Sequence, residues 1–193
     1  MDSKIGAKKE WISVSVMGYD SPGIVAAVAK VLFEDGCNIE SLSQIVLMGQ
    51  FAMIVIAAPL KGSPASALQA DLDALARRMN LAIHIRTLNP EERGAFDAGE
   101  AEPFVITVRG EDRPGLVHTI TAILAEQGVN IMCLGAEVVP VNQRLEYIQI
   151  YEVDIPRTVD FSLIQKALRD QGAAIGVIVD MQHRNIFRAI NQI

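Results

Sequence analysis

Two short stretches of the chain combine residues suited to holding a small zwitterion: Asp20-Ser21-Pro22-Gly23-Ile24-Val25 and Asp112-Arg113-Pro114-Gly115-Leu116-Val117. In each, the carboxylate can accept hydrogen bonds from an ammonium group, and the glycine lacks the side chain that would keep a ligand off the backbone. The residues that follow read as the start of a helix, whose free N–H groups and positive dipole end favour a carboxylate by about 0.3–2 kcal/mol. One helix length later each stretch leads to a second motif, Gly36-Cys37-Asn38-Ile39 or Gly128-Val129-Asn130-Ile131, whose asparagine offers both a donor and an acceptor. The same residues also read as plain local structure. Aspartate beside a helix start is a cap, proline suits a first turn, and Gly36 and Gly128 are helix stops. Ser21 is a good cap, whereas Arg113 is a poor one and brings a cation that can pair with a ligand carboxylate or with Asp112.

The elements that must position these motifs are duplicated as well. Asp20 and Asp112, Gly36 and Gly128, and Asn38 and Asn130 are all 92 positions apart, which marks an internal repeat. The 193 residues, half of them apolar, therefore divide into two units of about 80 residues, near the lower end of autonomous domains. In the first, Trp11 to Met17 alternates with period two and reads as a strand ending at Gly18. Pro22 fits the first position of a helix carrying Ile24, Val28, Val31 and Leu32 on one face up to Gly36. Ile39 to Met48 and Phe51 to Ala58 are strands joined through Gly49-Gln50. Ser63-Pro64 opens a second helix bearing Leu68, Leu72, Leu75 and Met79, and Leu81 to Leu88 is a fourth strand.

The second unit repeats the order: strand Phe104–Arg109, helix Leu116–Gln127, strands Ile131–Val139 and Leu145–Val153, a helix capped by Asp160 and running to Gly172, and strand Ala174–Met181. Each unit thus reads β-α-β-β-α-β, an α+β, ferredoxin-like pattern with a four-stranded antiparallel sheet and both helices on one face. The expected division is a tail at 1–9, a first domain at 10–88, an acidic linker at 89–102, a second domain at 103–182, and a C-terminal tail at 183–193 that can form a short helix. Phe51 to Ala57 is apolar on both alternations, so the first unit's free face or edge should be buried against the second unit or another subunit. The equivalent strand of the second unit is more amphipathic, with Tyr147, Gln149 and Tyr151 on one alternation and Ile148 and Ile150 on the other.

The paired motifs within a split βαβ unit resemble the ACT domain, a small regulatory module that senses amino acids. Two such domains with no attached enzyme or DNA-binding domain resemble the glycine cleavage system transcriptional repressor family. The resemblance implies a ligand site where the first loop meets strand two of a neighbouring domain. Up to two sites follow, one from Asp20, Ser21, Gly23, Asn38 and Ile39 and one from Asp112, Arg113, Gly115, Asn130 and Ile131. It further implies glycine or serine as the signal, a transcriptional activator as protein partner, and a homodimer or higher assembly. A free-standing regulatory subunit of an amino-acid metabolic enzyme is the alternative.

Other functions find little support. The net charge of −6 argues against direct binding to nucleic acid. The N-terminal residues lack a signal-peptide core and no apolar run is long enough to span a bilayer, so a cytoplasmic protein without membrane contact is expected. Cys37 and Cys133 occupy non-equivalent repeat positions and are expected to be buried reduced thiols. His84, His118 and His183 have no ligand spacing, and Asp71 and Asp73 read as solvated helix charges, so no metal, cofactor or catalytic residue is expected. Catalysis of the kind seen in small ferredoxin-like phosphatases lacks a suitable Arg and Asn constellation.

Overall fold

A computed structural model describes residues 11–60, 65–89, 100–141 and 144–191. The chain forms two compact units, 1–95 and 96–193. The first comprises β1 (Trp11–Tyr19), α1 (Ile24–Glu34), β2 (Cys37–Leu47), β3 (Gln50–Pro59), α2 (Ala65–Met79) and β4 (Leu81–Leu88). The second comprises β5 (Ala101–Gly110), α3 (Leu116–Glu126), β6 (Asn130–Val141), β7 (Arg144–Pro156), α4 (Phe161–Ala174), β8 (Val177–His183) and α5 (Arg184–Asn191). Sheet orders β2-β3-β1-β4 and β6-β7-β5-β8, with every pair antiparallel, are the ferredoxin-like arrangement in both units. The expected tail at 1–9, the Ser63-Pro64 helix start and positions 90–99 of the linker lie outside the described residues.

Local chemistry corrects four expectations. Pro22 is not the first helical residue: Gly23 at φ 97°, ψ −5° stands between it and α1, which is the third position of a type II turn with proline second. The hairpin turns on Met48 and Gly49, not Gly49 and Gln50. Leu47 pairs with Gln50, and the two loop residues have φ 49° and 77°, both positive as a type I′ turn requires. The last strand begins at Val177, because α4 continues to Ala174 and stops at Gly176 with φ 76°. Cys133 is exposed rather than buried, since β6 is an edge strand and Cys133 stands beside Glu152 on its open face.

Both helices of a unit cover the same sheet face. Val14, Val16, Met53 and Val55 meet Ile24, Val28, Leu32, Leu68 and Leu72 in the first core. Ile106, Val108, Tyr151 and Val153 meet Leu116, Ile120, Leu124, Ile164 and Leu168 in the second. One difference between the cores is polar. Gln149 and Tyr151, matching Met53 and Val55 in sheet position, are fully buried, and the Tyr151 hydroxyl donates to Gln149 Oε1 at 2.5 Å. Among the described residues Gln149 Nε2 has no partner, an arrangement that costs about 1–3 kcal/mol.

The opposite sheet face differs between units. In the second, α5 packs against β5 and β8, and Arg184 reaches Glu152 at 3.5 Å on that face. Val105, whose side chain points away from the helical core, is only 2% exposed there. The C-terminal segment is therefore helical and docks on its own unit. In the first unit the corresponding face exposes Ile54 at 54%.

Burial, followed by the nearby Tyr147, pushes the Tyr151 hydroxyl up to about 12. The folded state thus holds this proton where the unfolded chain, near 10, has lost it. Its contribution is complete below about pH 10 and disappears as pH rises through about 12. Denaturant unfolding measured on both sides of that window is expected to show a loss of stability in the parent protein that is absent in Tyr151→Phe.

Candidate functional site

Each motif builds the same turn. β1 and β5 end at Tyr19 and Gly110, the chain turns through proline and a left-handed glycine, and α1 or α3 begins at the next residue. Gly115 has φ 93° and ψ −5°, and Leu116 N–H donates to the Arg113 carbonyl at 3.5 Å, closing the second turn. Gly23 and Gly115 accept the first intrahelical bonds, from Ala27 and Thr119, both at 2.9 Å. Neither helix has a side-chain cap, so apart from Leu116 N–H, which closes the second turn, the first-turn amides are left to solvent or a ligand. Asp20, Ser21, Asp112 and Arg113 are all exposed. A Cβ on Gly23 or Gly115 would meet nothing within 4 Å, so the glycines serve the backbone angle and leave open space over it.

The second half of each proposed site lies elsewhere. Asn38 pairs with Ala58, at the Trp11 end of the sheet, whereas Asp20 follows Tyr19, which pairs with Gln50. Eight strand positions separate Trp11 from Tyr19, about 26 Å at the usual rise. Asn130 likewise pairs with Asp154 opposite Pro103, while Asp112 follows Gly110 at the far end. Asn38 and Ile39 therefore do not converge with Asp20, Ser21 and Gly23 inside one unit, nor Asn130 and Ile131 with Asp112, Arg113 and Gly115. Within the chain, Asn38 Nδ2 donates to Glu40 Oε1 at 3.0 Å, and Asn130 Nδ2 lies 3.0 Å from Met132 Sδ.

The surroundings of the two turns have diverged. Arg113 pairs with Glu111 at 2.7 Å, and this hydrogen bond and then the guanidinium charge hold the Glu111 carboxyl below its ordinary range. Arg109 pairs with Asp180 at 3.3 Å. A cleft of about 680 Å3 opens beside them, lined by Arg109, Glu111, Leu145, Glu146, Gly176 and Ile178, which motif reading did not single out. With Val141 its lining comes from four separate strand ends, so only the register reveals it. Around the first turn the neighbours are Met17, Tyr19 and Met48, all exposed. His84 and His118 are exposed, and His183 packs edge-on against Phe104. Cys37 is buried, and burial followed by Asp35 raises its thiol. Among the described residues no group of acidic, histidine or cysteine side chains could hold a metal, and no helix is long and apolar enough to cross a membrane.

Comparison with known proteins matches this architecture. A family model described as the ACT domain covers residues 10–86 and 102–182. The UPF0237 protein of Methanococcus maripaludis is 38% identical over 93 residues, which are 48% of this chain and 99% of that protein. The UPF0237 protein of Methanocaldococcus jannaschii is 36% identical over 90 residues, 46% of this chain and 96% of that protein. Each relative is thus about as long as one unit. An unknown protein from Galdieria sulphuraria superposes with a TM-score of 0.75 at 26% identity, over 91% of this chain and 99% of that one. The structure of a candidate glycine cleavage system transcriptional repressor superposes with a TM-score of 0.69 over 91% and 98% of the two chains. At 16% identity that likeness shows the fold alone.

Because the glycines and not the aspartates set the turns, the two kinds of substitution should separate in thermal unfolding. Gly23→Ala and Gly115→Ala are expected to lose about 1–2 kcal/mol each, the strain of a Cβ in the left-handed region. Asp20→Ala and Asp112→Ala should stay within about 0.5 kcal/mol of the parent. Large losses from the aspartate changes would show that they are structural caps after all.

Proposed function

The chain belongs to the ACT-domain family, and on that footing we propose that it is a non-enzymatic, amino-acid-responsive regulator. ACT domains are regulatory modules that typically bind small amino acids. The observation that carries the reading for this chain is the repeated turn with uncapped amides, open space over its glycine, and an exposed aspartate beside it. Uncapped amides and a helix N-terminus suit a carboxylate, and the aspartate suits an ammonium group. Glycine or serine fits best, because recognition is then complete at the two charged ends and needs no side-chain pocket.

The regulated process in this reading is transcription of glycine cleavage genes, reached through a protein partner such as an activator. Direct operator binding is disfavoured by the net charge of −6, since phosphate neutralisation supplies most non-specific affinity. For occupancy to matter, the amino acid must bind partner-free and partner-bound states with different affinity. The likeness to a candidate glycine cleavage repressor is what suggests this target; its sequence identity bears only on fold.

Calorimetric titration of the intact chain with glycine, serine and larger amino acids tests the reading. Saturable binding of one small amino acid is expected, weakened at least tenfold, about 1.4 kcal/mol, by Asp20→Ala or Asp112→Ala. Flat titrations with a protein that remains folded would show that the turns are structural only.

A further inference from the structure

The C-terminal helix starts on a histidine. β8 ends at His183, α5 begins at Arg184, and the backbone N–H of Asn185 donates to His183 Nδ1 at 3.3 Å. That is the bond an N-cap side chain makes, since it gives an acceptor to one of the first-turn amides that find no partner inside the helix. Asparagine, aspartate, serine and threonine are the usual residues at this position, and none of them changes charge near neutrality. Histidine changes charge between about pH 5 and 8. Only the neutral ring has a lone pair to accept the bond. The protonated ring is a donor at both nitrogens, and it sets a positive charge against the positive end of the helix dipole.

The rest of α5 is poorly placed to absorb that loss. Its eight residues make about two turns, below the length at which a helix persists alone in water. What holds it is packing on β5 and β8, where Val105 is almost fully buried, and the part-exposed pair of Arg184 with Glu152 at 3.5 Å. The surroundings of the ring supply no free counter-charge. It lies edge-on to Phe104 of β5, with centroids 5.4 Å apart, and Phe104 stacks on Phe161 of α4. Charged side chains on the elements packed against β8 are engaged elsewhere: Glu102 of β5 with Arg157, Arg109 of β5 with Asp180, Arg184 of α5 with Glu152 of β7, and Lys166 of α4 with Asp170, while Arg169 of α4 is exposed. Among the described residues, the bond from Asn185 is the only hydrogen bond that His183 makes.

We propose that His183 is a pH-sensitive latch for the C-terminal helix: the neutral ring caps α5 and holds it on the face of β5 and β8, and the protonated ring releases it and uncovers Val105. The sign follows from the acceptor role. Docking is complete where the ring is neutral and is lost as pH falls through its titration.

Amide hydrogen exchange of the intact chain, read at about pH 7.5 and about pH 5.5 and corrected for the intrinsic rate at each, tests the latch across the histidine window. Protection of the α5 amides is expected to fall about fivefold or more at the lower pH, the factor that loss of a cap brings. The amides of Ile150 and Tyr151 in β7 are expected to keep their protection, which makes the release local. His183→Asn, which keeps a cap that does not titrate, is expected to give equal protection at the two pH values. His183→Ala is expected to be weakly protected at both; if loss of the Phe104 contact unfolds that variant, His183→Asn decides alone. Parent protection that is independent of pH, a fall shared equally by β7, a fall of the same size in His183→Asn, or parent-like protection at the higher pH in His183→Ala would each overturn the proposal.

Discussion

A split βαβ unit owns one sheet and two helices, and right-handed crossovers send both helices to the same side. The other side of the sheet must be made polar, roofed by something else, or left to an interface. That constraint governs how the two halves of this chain differ. The second unit combines the first two solutions, with Arg109, Glu137, Glu152 and Asp180 on the face and α5 across Val105. Among the described residues, the first unit's face carries serine, alanine, isoleucine and methionine with His84 and Arg86 at one edge, and it is buried only at its Trp11 end, at Ala58 and Leu88.

Much of this was legible in the amino-acid pattern because period and punctuation agree. Alternation in Trp11–Met17, the helical stripe through Ile24, Val28 and Leu32, and the glycine stops at 36 and 128 each have one physical meaning. The misplacements occur where two rules compete. Pro22 can open a helix or occupy the second position of a type II turn, and Gly23 decides for the turn because its positive φ interrupts helical geometry. On β7 the names Tyr147, Gln149 and Tyr151 look like a solvent face. Yet Val153 and Ile155 share their phase and are buried, so strict alternation carries Gln149 and Tyr151 inward with them. The result is a hydrogen-bonded polar pair in one core that its repeat lacks.

The candidate site was legible only in part. Sequence reading groups Asp20 with Asn38 through the resemblance, which joins the first loop of one domain to strand two of a neighbouring one, so the two halves need not meet within a unit. Antiparallel pairing of β2 through β3 to β1 places the beginning of β2 beside the beginning of β1, so the asparagine and the turn fall at opposite ends. What survives as a local constellation is the turn itself: a left-handed glycine, uncapped amides and an exposed carboxylate. Its neighbours have diverged, with ion pairs around Arg113 and exposed apolar groups around Ser21. The two units are therefore not equivalent environments for a ligand.

The central claim is that the turn amides receive the carboxylate of a small amino acid, and amide-resolved NMR of the isotope-labelled chain addresses it most directly. During a glycine titration the account predicts saturable shifts concentrated at the amides of Ile24, Val25 and Ala26, of Leu116, Val117 and His118, or of both sets. Saturable shifts confined to other parts of the fold, or none at any concentration, would contradict it.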